Sequence, residues 1–285
     1  MSTIPATGST AGPLSDAARG KDAARGKVTQ TRVIGSEWTK LWSLRSTRWS
    51  LLASVIFMAG LGMVAAAFQM GHWAQLEPHR RLTYDSINTG VGGFHLALLP
   101  IGVLGVLVIS GEYATGMIRS SFMAVPHRLP VLWAKALVYA AVTFVLMLSA
   151  SFISFFGVQA IVTQHHVQHS IGDPHALRVV VGAALFMTVL GIFAVGLGAL
   201  VRNTAGGIAT LFGLFFILPG IVAILPSSIG DPITPYLPIN AGFAVATSTF
   251  ENSNHLAPWS GFAVFCGYAA FAMVCAAVGL LRRDA

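Results

Sequence analysis

Residues 179–201 read VVVGAALFMTVLGIFAVGLGALV, with Arg178 before them and Arg202 after them. The run holds no Asp, Glu, Lys or Arg. A helix rises about 1.5 Å per residue, so about 20 apolar residues cover the hydrocarbon core of a bilayer. This stretch is long enough to cross one. Five more runs of the same kind follow the same rule: Trp49–Met70, Val91–Ser110, Ala136–Val162, Ala205–Leu225 and Pro258–Leu281. The whole chain is 55% hydrophobic and 9% charged, where a soluble domain carries about 25% charged residues. The expected fold class is all-α, a polytopic membrane protein with six transmembrane helices.

Charge sets the expected orientation. If the N-terminus lies inside, fourteen of the seventeen Lys and Arg fall on the inner side, and only Arg80, Arg81 and Arg178 fall outside. Basic residues concentrate on the cytoplasmic side of membrane proteins, so both termini are expected to be cytoplasmic. Residues 1–35 are small and polar, and Ala17-Ala18-Arg19-Gly20-Lys21 recurs as Ala23-Ala24-Arg25-Gly26-Lys27. Such a segment has little apolar surface to bury. It reads as a disordered basic tail able to touch anionic membrane lipid. No cleavable signal peptide is visible in it, and no aromatic or folded module points to nucleic acid. Residues 36–285 form the membrane domain.

Between tail and first span, Ser36 to Arg45 has the spacing of an amphipathic helix. Trp38, Leu41, Trp42 and Arg45 recur at three and four residues, and Glu37 and Lys40 pair on the side expected to be wet. Tryptophans and basic flanks suit a helix lying in the headgroup plane. After the second span comes Gly111-Glu112-Tyr113-Ala114-Thr115-Gly116-Met117-Ile118-Arg119, then Pro126-His127-Arg128 and Lys135. A continuous helix would place Glu112 and Arg119 on one face, two turns apart.

This order of segments resembles the permeases of type-2 ABC exporters. Glu-Tyr-x-x-Gly-x-Ile-Arg from Glu112, the basic residues beside Pro126 and the lysine opening the third span fit that family. Glu37–Arg45 is similar to its elbow helix, Arg202-Asn203-Thr204-Ala205-Gly206-Gly207 to the turn before its fifth span, and Tyr236-Leu237-Pro238-Ile239-Asn240-Ala241-Gly242 to the Leu-Pro-x-Asn-Ala signature before its last. The ending Leu281-Arg282-Arg283-Asp284-Ala285 is typical of actinobacterial members. Met117 departs from the threonine that members often carry.

The resemblance, over residues 30 to 285, implies a multi-pass subunit of the bacterial cell membrane. Its expected partners are a cytoplasmic ABC ATPase subunit and a second permease, either another copy of this chain or a similar one. ATP and Mg²⁺ would be used by the ATPase, with no cofactor held by this chain. It implies ATPase-coupling roles for Glu112, Tyr113 and Arg119, with Glu37, Trp38 and Lys40 beside them, on a short stiff helix interrupted only by Gly116. It also implies a substrate pathway along the second and fifth spans, at Leu99, Pro100, Phe212, Phe215, Phe216 and Pro219. The absence of charge there favours amphiphilic or lipid-like cargo over ions, and a drug-like substrate fits the same description.

Other chemistries lack their parts. ATP hydrolysis needs G-x-x-x-x-G-K-[ST], and the Gly-Lys pairs at Gly20-Lys21 and Gly26-Lys27 are followed by Asp22 and Val28. The chain is therefore not expected to be an enzyme. A six-span serine protease needs a serine paired with a buried histidine base. The spans offer only His95, and there is no Gly-x-Ser-x-Gly elbow. A proton-coupled carrier would carry ionisable residues inside its spans, and these runs have none. The alternative function is a facilitator not driven by ATP, or an intramembrane sensor or interaction subunit. His165, His166, His169 and His175 crowd one outer loop, but Pro174 breaks the helical spacing that a shared metal would use, so a solvated turn without metal is expected. Cys266 and Cys275 lie nine residues apart on opposite faces of one helix and read as packing residues. In the proline-rich stretch Pro226–Pro258, Ile239 to Phe250 is expected to form a short helix begun by Pro238, capping the outer end.

Overall fold

The structure is a computed structural model that describes residues 30–116, 128–248 and 256–283. Among them there is no strand. The helices are α1 (Gln30–Ser43), α2 (Arg45–Gly71), α3 (Pro78–Leu82), α4 (Ser86–Val91), α5 (Phe94–Thr115), α6 (Arg128–Val162) and α7 (Ala176–Val201). Then come α8 (Thr204–Phe212), α9 (Leu218–Ile224), α10 (Ser227–Ile233), α11 (Pro238–Phe243) and α12 (Pro258–Arg283). Among the described residues, six helical stretches are long and apolar enough to cross a bilayer: α2, α4 with α5, α6, α7, α8 through α9, and α12. They mark a multi-pass membrane protein.

The stretch 179–201 lies in the middle of the bundle. Within its most apolar window 78% of residues are buried, against 22% for the fifth span. Small residues let the neighbours approach, as membrane interfaces require without a hydrophobic drive between helices. A methyl on Gly198 would lie 2.7 Å from the Val106 carbonyl oxygen of α5, and one on Gly196 would lie 3.0 Å from the backbone of Ala272 and Met273 in α12. The Tyr139 hydroxyl, on α6, donates to the Ile101 carbonyl of α5 at 2.6 Å. These contacts hold α5, α6 and α12 around α7.

Local chemistry explains where helices begin and end. Asp85 caps α4 by accepting from the Ile87 and Asn88 amides at 2.9 and 3.1 Å. Asn203 caps α8 by accepting from the Gly206 amide at 2.9 Å. Arg202, at φ 56°, turns the chain sharply between α7 and α8. The fifth span opens into a π-helical turn over Gly213–Ile217. Pro219 supplies the reason: it has no N–H to donate to the Phe215 carbonyl, and its ring would crowd that carbonyl in a regular helix.

Several boundaries depart from the sequence expectations. The tail was expected to run to residue 35, but α1 starts at Gln30 and buries Val33 against Val131 and Ala134 of α6. The second span continues to Thr115 instead of ending at Ser110, and the third begins near Arg128 instead of Ala136. Glu112 and Lys135 therefore lie within helices, just beyond the ends of the apolar runs Val91–Ser110 and Ala136–Val162, which themselves hold no Asp, Glu, Lys or Arg. The helix begun by Pro238 stops at Phe243 and passes into a turn at Ala244–Ala246. Phe250 lies outside the described residues. Phe243 stacks on Phe94 with ring centroids 3.8 Å apart, so α11 covers the end of the bundle opposite the basic one.

Candidate functional site

At the basic end, three helices bring four charged side chains together. Glu37 and Lys40 come from α1, Glu112 from the last turn of α5 and Lys135 from the start of α6. The Lys135 Nζ donates to Glu37 Oε2 at 2.6 Å and to Glu112 Oε1 at 2.7 Å. The Lys40 Nζ donates to Glu37 Oε1 at 2.7 Å and to Glu112 Oε1 at 3.1 Å. The result is a closed ring of alternating charge, formally neutral, joining segments 72 and 98 positions apart in sequence.

Burial decides what the ring is worth. Side-chain exposure is 2% for Lys135, 5% for Glu37, 10% for Glu112 and 35% for Lys40. Removing ions from water costs several kcal/mol each, which is offset only with good geometry and further hydrogen bonds. Here each carboxylate meets both ammonium groups. Burial pushes the Lys40 ammonium down, but the hydrogen bond and charge of Glu37 and the charge of Glu112 outweigh it and hold it above its ordinary value. With a raised folded value, its stabilisation is complete below about pH 10 and fades as pH rises past that value. The Glu112 Oε2 is shut away from solvent and has no hydrogen-bond partner among the described residues. An orphaned buried acceptor of this kind costs about 1–3 kcal/mol.

Beside the ring lies a cavity of about 290 Å³, bounded by α1, the first turn of α2, α5 and α6. Leu41, Leu44, Leu104, Leu107, Val108 and Val138 form apolar walls, and Glu37, Lys40, Glu112 and Lys135 form its charged part. A second cavity, of about 420 Å³, lies between the ends of α7 and α12 at Arg202, Cys275, Gly279 and Arg282.

The ring reverses one sequence expectation. Glu37 was placed on the wet side of the amphipathic helix, yet it is buried with Val33 and Leu41 while Trp38 and Trp42 are exposed. Lys135 is the cause, because it neutralises Glu37 inside the bundle. The spacing of α1 shows which residues share a face but not which face turns inward.

The other expected coupling residues divide. Tyr113 lies next to Glu112 in sequence and meets Arg202, whose guanidinium sits 5.2 Å from the ring centroid. Arg202 also donates to the Gly279 carbonyl of α12 at 3.1 Å. The Ser110 and Thr204 hydroxyls are 3.0 Å apart, so the end of α5 is tied twice to the turn that starts the fifth span. Gly116 does not sit inside a continuing helix: at φ 71° it ends α5 in the left-handed conformation that glycine adopts freely. The shared helical face expected for Glu112 and Arg119 therefore breaks at Gly116, and Arg119 lies outside the described residues.

The expected pathway residues are scattered. Phe215 is 1% exposed and packs against Phe193 and Phe265 in the core. Phe212 and Phe216 stack on each other at 5.5 Å, and Phe216 faces outward. Leu99 and Pro100 are partly buried in α5, and Pro219 follows the π-helical turn. Neither cavity is lined by any of the six.

At the opposite end the structure pairs a serine with a histidine that sequence spacing does not reveal. The Ser86 hydroxyl lies 2.8 Å from His169 Nδ1 and donates to Gln159 Oε1 at 3.2 Å. Ser86 is fully buried, and neither cavity reaches it. The contact acts as a clasp between α4, α6 and the loop that joins α6 to α7, without room for a substrate at the hydroxyl. The Ser248 hydroxyl donates to Asp85 and its amide donates to Asn88, closing a second clasp nearby. The remaining loop histidines separate: His165 stacks on Trp73, and His175 precedes α7 at φ 72°. Among the described residues, no three His, Cys, Asp or Glu side chains converge as a metal-binding set.

No family model, curated protein or solved structure matches this chain.

Proposed function

We propose that this chain is the membrane-spanning permease subunit of an ATP-driven exporter of the type-2 ABC class, moved by a separate cytoplasmic ATPase that consumes ATP and Mg²⁺. The observation that carries the reading is the ring. Three of the segments that resemble the family, at Glu37–Arg45, Glu112–Tyr113 and Lys135, meet in one buried cluster. A fourth, Arg202–Gly207, is joined to the same helix end through Tyr113 and Ser110.

Such an arrangement suits force transmission. α1 is an elbow helix lying against the cytoplasmic ends of the spans, and the ATPase docks on its exposed side and on the segment after Gly116. The ring makes α1, α5 and α6 move together, because separating them would strand charges in a poorly hydrated site. Displacement of α5 then passes to the fifth span at Thr204. That span is the least covered of the six, with Phe216, Ile217, Ile221 and Ile224 exposed. A second permease packs on this face and completes the pathway. The cargo is amphiphilic.

Affinity purification of the chain from its native bacterial membrane in mild detergent tests the reading. A P-loop ATPase is expected in stoichiometric amount. Its consistent absence, with the chain intact, would leave the facilitator or sensor reading in its place.

A further inference from the structure

We infer that the cavity beside the ring is a binding site for the headgroup of an aminophospholipid, whose primary ammonium donates to Glu112. Four carboxylate oxygens belong to the ring, and three of them receive donors from Lys40 or Lys135. The fourth, Glu112 Oε2, is buried and has no partner among the described residues. Glu112 is nine-tenths buried and is among the residues that bound the cavity. Oε2 itself has no accessible surface, so a group entering the cavity supplies this donor once the Glu112 carboxylate turns that oxygen toward it.

The charge of the ring selects the kind of donor. It holds two carboxylates and two ammonium groups. A simple cation would leave an excess positive charge in a poorly hydrated place, whereas a zwitterion adds none. A primary ammonium offers three N–H donors to a carboxylate, and a quaternary ammonium offers none. The accompanying phosphate then lies toward Lys40, the most exposed member of the ring. Size and walls agree with this occupant. At about 290 Å³ the cavity is near the lower end of small-molecule sites, enough for a headgroup and its first methylene groups. Leu44 and Leu107 are both exposed at its wall and provide an apolar exit for acyl chains into the bilayer. The site also touches α1, α2, α5 and α6 at once, so an occupied cavity stiffens the joint around the ring.

This inference does not rest on the exporter reading, because it concerns the chain by itself. The test is native mass spectrometry of the purified full-length chain with added lipids of identical acyl chains. Phosphatidylethanolamine, its N-monomethyl and N,N-dimethyl forms, phosphatidylcholine and phosphatidylglycerol are compared. Retention is expected to be about tenfold greater for phosphatidylethanolamine than for phosphatidylcholine, the worth of one charge-assisted hydrogen bond, with the methylated forms between them. Leu107→Trp, which fills the cavity and leaves the ring intact, is expected to abolish the preference. Equal retention across the series would overturn the assignment. So would preference for phosphatidylglycerol, or an unchanged ethanolamine preference in folded Leu107→Trp. The lipid series needs only the natural chain, so the test stands even where the variant does not fold.

Discussion

Lys135→Met is expected to lower the unfolding free energy by about 3–5 kcal/mol, measured by chemical denaturation of the chain in lipid nanodiscs. Methionine reproduces the lysine side chain as far as Cε and keeps its apolar packing, so the loss reflects the ammonium group and its two hydrogen bonds. Lys135 is the common partner of Glu37 and Glu112, at 2.6 and 2.7 Å, and only 2% of its side chain is exposed. Without it, two buried carboxylates face each other with Lys40 alone between them. Removing one member of a buried pair is costly because the survivor is stranded, whereas removing all members together is often close to neutral. Replacing all four members together, Lys40→Met, Lys135→Met, Glu37→Met and Glu112→Met, should therefore recover most of the loss. A single variant within about 1 kcal/mol of the natural chain would mean that the ring contributes little.

The second large effect belongs to Gly93, at the joint between α4 and α5. A methyl group there would stand 2.2 Å from the Phe57 carbonyl oxygen, 2.6 Å from that of Met58 and 2.9 Å from the Met58 Cα. All three are backbone atoms of α2, so no side-chain rotation relieves the clash. Overpacking a core costs about 1–3 kcal/mol, and Gly93→Ala is expected at the upper end because α2 itself must shift. Gly60→Ala is the control. Gly60 lies within α2 with nothing within 4 Å of the added methyl, and the change should stabilise the chain by about 0.4–1 kcal/mol. Denaturation midpoints for the two variants should move in opposite directions. A Gly93→Ala protein as stable as the natural one would contradict the close approach of α2 to that joint.

The six long helices were legible because length and hydrophobicity alone identify them. Their ends were not. Lys135 reads in sequence as a loop lysine that opens a span, since a charge normally marks a helix boundary. The helix itself runs back to Arg128, and pairing with Glu37 and Glu112 accounts for the burial of Lys135 within it. The same pairing explains the reversed face of α1, where periodicity groups Glu37 with Val33 and Leu41 but says nothing of a partner 98 positions away. Gly116 shows a local signal passed over: a glycine after a run of helix formers is a common stop. Pro219 was counted as a pathway residue, while its missing N–H and ring account for the π-helical turn before it. The contact between Ser86 and His169 joins residues 83 positions apart and has no spacing signature at all.

These corrections concentrate the candidate chemistry at the basic end. The cavity, the ring, the left-handed glycine that ends α5 and the ties from Ser110 and Tyr113 to the fifth span all lie there. The opposite end is closed by α11, the clasp at Ser86 and the hydrogen bonds of Ser248.

The most direct test places a photo-crosslinking amino acid at position 38 of α1, where Trp38 is 49% exposed, and irradiates native membranes. The account predicts a covalent adduct with a P-loop ATPase from position 38 and none from position 259, where Trp259 is 60% exposed on α12. ATPase adducts from position 259 but not from position 38, or from neither, would contradict it.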